Sequence, residues 1–447
     1  MRKFLICSVA LALALAPAPA QEKQAWTLDR CIQHALENNI EVKKKGLSYE
    51  GKEIGLSESR WSFSPSFSMS SSASLSTGRV LDQTTYEFIG NSTMGSSSSS
   101  ISGSMDIFNG FRKIYALRRA KLDLMAESAG MESLKDDIRR NVTAAFLALL
   151  CAESNVRSAA DTKGLLVSQI ERIEVLLEAG KITESDLLQA KAQLYAAEND
   201  CATAEGAVES ARMELCQLLE IQDYKGFAID SSSMTAPAKA SRPITEEDVL
   251  SRPEYRQANL LVDIARQDLK IAKSGYSPSL SLSAGYGTSY SSARQKAIQN
   301  PDGTFRYEAY PFMDQYLDNR NSYISLSLNV PIFYSFSNRN NVRRQKLALC
   351  DAEYDAMSTK KALVKESLQL EIDCRTAQKK YESAKEQFKY AEEAERQLRE
   401  RYAAGAADYN SWNIAATELA KSRYALSEAK YTYLFKLKTL ELFCKGF

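Results

Sequence analysis

Neither sign of charge dominates this 447-residue chain: 57 Lys and Arg stand against 56 Asp and Glu. That balance excludes the basic face that nucleic-acid binding requires. Histidine is almost missing, with His34 the only one. Ser-His and Cys-His catalysis would have to use that one ring, and most imidazole metal sites are ruled out. His34 lies in the polar helical stretch CIQHALENN and reads as a surface residue. There is no phosphate loop and no dinucleotide fingerprint, so neither an enzyme nor a bound cofactor is expected. Beyond residue 20 no segment reaches the roughly 18 unbroken apolar residues of a membrane helix, which leaves any membrane crossing to strands. Cys31, Cys151, Cys201, Cys216, Cys350, Cys374 and Cys444 are scattered and contain no C-x-x-C pair. They outline neither a disulfide framework nor a zinc site, and read as small buried thiols.

The first 20 residues carry an address. Arg2 and Lys3 precede an apolar run from Phe4 to Ala16, and Ala18-Pro19-Ala20 follows. A charged start, a short apolar core and an Ala-x-Ala site describe a secretory signal peptide cleaved after Ala20. Cys7 lies inside the apolar run, not just after the cleavage site, so a lipoprotein is not indicated.

The remainder is built twice. SPSFSMSS starts at Ser64 and SPSLSLSA at Ser277, 213 residues later; Ala179-Gly180 aligns with Ala404-Gly405 at an offset of 225. At that second offset Leu117 meets Val342, Ile138 meets Leu363 and Leu194 meets Leu419. A repeat of this length sets the architecture. Each copy reads helix, strand, loop, strand, long helix, tight turn, helix. The first copy covers 21–220, with strands near 62–78 and 94–108, a long helix near 111–178 and a second near 184–219. The other covers 246–447, with strands near 278–290 and 321–333 and helices near 337–403 and 408–443. Residues 221–245, with Gly226, Pro237 and Pro243, read as an equatorial linker. The opening helices are expected from Thr27 towards Trp61 and from Thr245 towards Gly275. Between Phe111 and Glu178 there is no proline and much Ala, Leu, Glu, Lys and Arg, a composition that favours helix throughout. Apolar steps of three, four and seven belong to coiled-coil packing.

The strands alternate. Phe67, Met69, Ala73 and Leu75 share one parity, while Ser66, Ser68, Ser70, Ser72 and Ser74 share the other. Ser102, Ser281, Ser325 and Ser327 hold the corresponding polar positions of the later strands. About ten residues of period two is the length that crosses a bilayer when tilted. Four strands leave two open edges, and bare backbone groups cannot face hydrocarbon. Several chains must therefore share one barrel. Two would give eight strands and a filled interior, three would give twelve and a passage lined with serine hydroxyls.

With these phrases in hand, the chain resembles the TolC family of outer-membrane efflux proteins over essentially its whole mature length. VLSRPEYRQANLLVDIARQDLKIAKSGYSPSLSLSAGYG carries the resemblance, with the junctions SMDIFNGF and LNVPIFYSF and the turns EAGKITESDLLQAKAQL and YAAGAADYNSWNIAATELAKSRYALSEAKYTYL. The resemblance implies a mainly α fold with membrane β: a homotrimer whose 12-stranded β-barrel continues into a 12-helix periplasmic α-barrel. It implies a passive exit duct working with a periplasmic adaptor and an inner-membrane pump. Matched to the family's turns, Gly180, Lys181, Gly405 and Ala406 would meet the adaptor. Alanine precedes each glycine, where well-known members have valine. Asp186 and Tyr402 match an entrance-closing pair. Ala407 replaces the arginine of that network, and Ser411 and Ile414 replace two ring aspartates, unless Asp408 or Asp186 substitutes for them. Ser66, Ser68, Ser102, Ser281, Ser325 and Ser327 would line the pore. The outer loops, about 78–93 and 291–320, include Phe305, Tyr307, Tyr310, Phe312 and Tyr316, which suit either a membrane interface or a packed surface loop. A type I protein-secretion duct is the alternative within the family, and an exported coiled-coil adhesin the alternative outside it.

Overall fold

The computed structural model describes residues 26–81, 87–179, 182–230 and 243–444. The signal peptide therefore lies outside the described residues, as do Gly180, Lys181 and most of the Ser- and Pro-containing linker. In chain order the elements are α1 (Leu28–Asn38), α2 (Ile40–Trp61), β1 (Ser66–Leu81), β2 (Phe88–Phe108), α3 (Arg112–Glu178) and α4 (Glu184–Leu218). There follow α5 (Glu246–Ser251), α6 (Pro253–Ser274), β3 (Ser279–Ser291), β4 (Gln295–Gln299), β5 (Phe305–Ala309), α7 (Phe312–Asp318), β6 (Asn321–Asn329), α8 (Ser337–Ala403) and α9 (Tyr409–Cys444). They form two compact units, whose boundaries fall within α2, α3, α6 and α8. Among the described residues no helix is long and apolar enough to cross a membrane.

Each opening helix is two helices, for reasons the local chemistry supplies. Asn39 leaves helical geometry with ψ 132°, and its Oδ1 accepts a bond from Glu41 N at 2.9 Å, capping α2 as α1 ends. In the second copy Arg252 precedes Pro253 and is held extended at ψ 138°, since the proline ring clashes with a helical predecessor.

The helical unit is held by several small cores. Phe146, Leu149 and Val142 of α3 pack with Cys31 and Ala35 of α1 and with Leu215 and Cys216 of α4. A second core joins Tyr433, Leu437 and Leu440 of α9 to Cys374 and Ala377 of α8. His34 is half-buried with its ring edge-on to Trp26 at 5.1 Å, and so is less exposed than its polar neighbours suggested.

The other unit contains an antiparallel sheet in the order β1-β2-β3-β6. At the strand-to-helix junctions the duplication appears in backbone angles. Gly110 and Phe111 have φ 65° and 64°, and Ser335 and Phe336, each 225 residues on, have φ 46° and 60°. The rings agree: Phe108 and Phe111 are edge-on at 5.3 Å, Phe333 and Phe336 at 5.4 Å. Holding three non-glycine residues left-handed costs energy, and the paired phenylalanines pin both corners.

Candidate functional site

Two places carry the residues singled out above. The first is the sheet. Its register sets Ser66 beside Ser104, Ser104 beside Ser283 and Ser283 beside Ser325, a row of serines across all four strands. Ser68 and Ser102 stand opposite each other one step along, as do Ser281 and Ser327. Because side chains alternate, these residues share one face. The hydroxyls saturate one another in pairs: Ser66–Ser104 at 3.1 Å, Ser68–Ser102 at 3.2 Å, Ser70–Ser100 at 3.0 Å and Ser72–Ser98 at 2.9 Å. The opposite face carries Met69, Ile101, Leu326 and Ile324, the last 82% exposed. A sheet with one hydroxyl face and one apolar face whose Met69, Ile101, Ile324 and Leu326 are exposed suits water on one side and hydrocarbon on the other. Glycine tunes the polar face at Gly285, where an added Cβ would come within 2.4 Å of the Tyr323 ring.

The second place is the end of the helical unit where α8 turns into α9. Gly405, at φ 73°, takes the left-handed position that ends α8, and Ala406 N reaches back to Arg401 O at 2.8 Å. Asp408 starts α9: its carboxylate accepts from Ser411 N at 3.1 Å and from Ser411 Oγ at 2.6 Å. Those hydrogen bonds, the hydroxyl's first, hold the Asp408 carboxyl below its usual range. On α4 the N-cap is Thr183, and Asp186 closes a capping box from the third helical position, its Oδ2 accepting from Thr183 N at 3.0 Å and Thr183 Oγ1 at 2.8 Å. Both carboxylates are thus engaged at helix starts, Asp408 as the cap and Asp186 as the capping-box partner.

Tyr402 lies close to Asp186 without a hydrogen bond between them, and its buried hydroxyl has no hydrogen-bond partner among the described residues. Burial first, and the charge of Asp186 second, push the Tyr402 phenol up. What holds Tyr402 is aromatic. Its ring stacks on Trp412 at 4.9 Å and meets Tyr409 at 6.1 Å. Burial, with Tyr402 and Asp186 nearby, pushes Tyr409 up to about 12. Ile170 and Ile173 of α3 and Ala190 of α4 complete the cluster. Trp412 Nε1 donates to Glu395 Oε1 at 3.1 Å, and Tyr409 OH donates to Gln193 Oε1 at 3.4 Å. A cavity of about 360 Å³ adjoins it, lined by Arg172, Gln193, Arg399 and Arg423. Sequence reasoning missed Trp412, Tyr409 and Glu395. The available signal was YNSW itself, which holds the only tryptophan in either pair of long helices.

Among the described residues no group of His, Cys, Asp and Glu is arranged to hold a metal. A duplicated helix-strand plan with a two-faced sheet defines a class, the strand-spanning channels of an outer membrane. The chain belongs to the outer membrane efflux protein family: residues 31–219 and 247–443 each match it, one stretch per copy of the plan. It is accordingly an outer-membrane channel protein and not an enzyme. It is 22% identical over 230 residues to outer membrane protein TolC of Vibrio cholerae, covering 50% of this chain and 48% of that one. The match thus spans about half the length of that curated relative. Solved structures share the fold over more. The channel protein CusC superposes with a TM-score of 0.79 at 16% identity, covering 93% of this chain and 91% of its own. The outer membrane protein VceC of Vibrio cholerae gives 0.76 at 16% identity, covering 93% and 96%. The outer membrane channel CmeC of Campylobacter jejuni gives 0.74 at 19%, covering 94% and 86%.

Proposed function

We propose that three copies of this chain form the exit duct of a tripartite efflux system, passing cargo from an inner-membrane pump and a periplasmic adaptor to the exterior. The observation that carries this reading is the sheet: two-faced, four-stranded, and ending in unpaired edges at β1 and β6. Such edges are tolerable in hydrocarbon only when a neighbouring copy pairs with them. Twelve strands then enclose a water-filled lumen faced by Ser66, Ser68, Ser102, Ser281, Ser325 and Ser327.

In this reading the α8–α9 turn stands at the periplasmic entrance. Gly180, Lys181, Gly405 and Ala406 meet the adaptor, and Asp186, Tyr402, Asp408 and Ser411 border the opening. The role of the aspartates is modified by their use as caps: they rigidify the turns, and the aromatic cluster binds one hairpin to the other. No energy source is needed in the duct, since the pump supplies it.

The deciding measurement is the protein mass of the detergent-extracted particle by light scattering. Three copies support the duct. A dimer points to a filled eight-strand barrel, and a water-soluble monomer sinks the channel.

A further inference from the structure

β3 carries its apolar parity further than the apolar residues themselves. Leu280, Leu282, Ala284 and Tyr286 occupy the face of Met69 and Ile101, and Thr288 and Tyr290 continue the same parity towards the end of the strand. The helix α7 is seated on that continuation. Thr288 Oγ1 donates to Tyr316 O at 2.7 Å, and the Tyr316 hydroxyl meets Ser97 Oγ at 2.8 Å and Ser99 Oγ at 3.3 Å. Ser97 and Ser99 stand opposite Tyr290 and Thr288 in the register. Phe312 closes the seat with its ring 4.9 Å from Tyr290. α7 therefore lies over the apolar face and not over the serine face.

The seat is rigid. Gln315 is fully buried; its Oε1 accepts from Ser291 N at 3.0 Å, while its Nε2 donates to Ser291 O at 3.0 Å and to Tyr310 O at 2.8 Å. These bonds fix which side of the helix faces away from the sheet. Met313 and Leu317, 64% and 50% exposed, stand on that side with the exposed Asp314 between them, so the helix offers two apolar side chains beside a carboxylate, as an element at a hydrocarbon edge would.

Height identifies what meets them. The rows from Leu280 to Tyr286 hold no charge on the apolar face. From Leu280 to Thr288 is eight residues, 288 − 280. At about 3.4 Å each and a tilt near 40°, that is roughly 20 Å of height, close to the ~25 Å apolar band of a membrane barrel. The β1–β2 and β3–β6 connections leave this end of the sheet, while the long helices leave the other. We propose that α7 is a collar resting in the outer leaflet at the edge of the hydrocarbon, with Met313 and Leu317 among the lipid chains. Lipid is the occupant because the surface is continuous with the lipid-facing rows below it. The inference rests on the reading of the sheet as a barrel wall.

The test uses the full-length particle in phosphatidylcholine vesicles whose acyl chains carry bromine near the headgroup. Met313→Trp and Leu317→Trp report on the collar, and Ile324→Trp reports on the barrel wall. Each is read against the native protein's own 3 tryptophans, with trimer mass checked for every variant. The expected result is bromine-dependent loss of the added emission at the collar positions and at 324. Loss at 324 alone overturns the collar, leaves the barrel standing, and assigns α7 to a neighbouring copy or to water. Loss at none of the three overturns the barrel wall and the collar with it.

Discussion

The indole of Trp412 donates to the carboxylate of Glu395 at 3.1 Å, and neither side chain is open to solvent. One residue lies in the first turn of α9 and the other near the end of α8, so this bond spans the turn that we propose stands at the entrance. Arg399 stands 3.8 Å from the same carboxylate, too far to replace the indole. Trp412→Phe keeps most of the packing and removes the donor, which leaves a buried carboxylate short of a partner at a cost of about 1–3 kcal/mol. Faster hydrogen exchange across the start of α9 and higher conductance in planar bilayers are expected. Glu395→Gln retains an acceptor and should behave almost as the native protein. Equal losses in the two variants would mean that the bond is not the source of the stiffness.

Asp186 and Tyr402 part company in the structure, and their variants should too. Asp186→Ala removes the carboxylate that accepts from Thr183 N and Oγ1, and loss of such a capping-box partner costs about 0.3–1.5 kcal/mol. The start of α4 then frays and conductance rises. Tyr402→Phe removes a buried hydroxyl that has no hydrogen-bond partner among the described residues, so stability should hold or improve. Conductance unchanged in both variants would remove the pair from the gate.

Arg252 is buried beside Asp136 at 3.1 Å and beside Glu254 at 2.8 Å, with its guanidinium 5.1 Å from the Phe443 ring centre. Burial raises the Asp136 carboxyl above its usual range, and Arg252 works against that rise. Arg252→Met should cost about 1–3 kcal/mol at neutral pH: it takes one of two cations from the buried Asp136, whose Oδ1 keeps Arg139 at 2.9 Å, and removes the donor to Glu254. The pH dependence has a definite sign. Without Arg252 the folded-state value of Asp136 climbs further above its unfolded value. The penalty is complete above the folded value and shrinks as pH falls through it, when the carboxyl takes up a proton. Urea unfolding at neutral and mildly acidic pH should show the deficit narrowing with acidity. A deficit independent of pH would place its origin in lost packing against Phe443.

The long helices and the two-faced strands were legible because each rests on a repeated local pattern: coiled-coil steps from Leu117 onward, and period-two alternation from Ser66 onward, interrupted on the apolar parity by Ser71, Ser97 and Ser99. Breaks in pattern were harder. Pro253 states its own consequence for Arg252, but Asn39 ends α1 only because its side chain caps the next helix, a choice that composition does not reveal. In the outer loop the aromatic residues were visible, yet the β4–β5 hairpin and α7 depend on particular bonds. Asn300 N to Thr304 O at 2.7 Å closes the hairpin, and Gln315 seats the helix. Asp186 and Asp408 are expected at an entrance only through the family's turn motifs, and the fold engages both carboxylates on the N–H and hydroxyl groups of Thr183 and Ser411. Trp412 and Glu395 are 17 residues apart on two helices, so only folding brings them together.

The sharpest contrast available lies between two adjacent residues. Ile324 and Ser325 are neighbours on β6, and alternation sends them to opposite faces: Ile324 stands opposite Ala284, and Ser325 opposite Ser283. An arginine on the lipid face of a barrel costs about 2–4 kcal/mol near the bilayer midplane, whereas one in a water-filled lumen stays hydrated. Ile324→Arg should therefore cut the yield of membrane-inserted trimer sharply, measured by heat-resistant migration of the extracted particle. Ser325→Arg should insert normally. Because three copies would place three guanidinium groups around a neutral hydroxyl lining, its reversal potential in a salt gradient should move towards anion preference. Tolerance at 324 with failure at 325 would invert the sheet, and with it the assignment of serines to the pore.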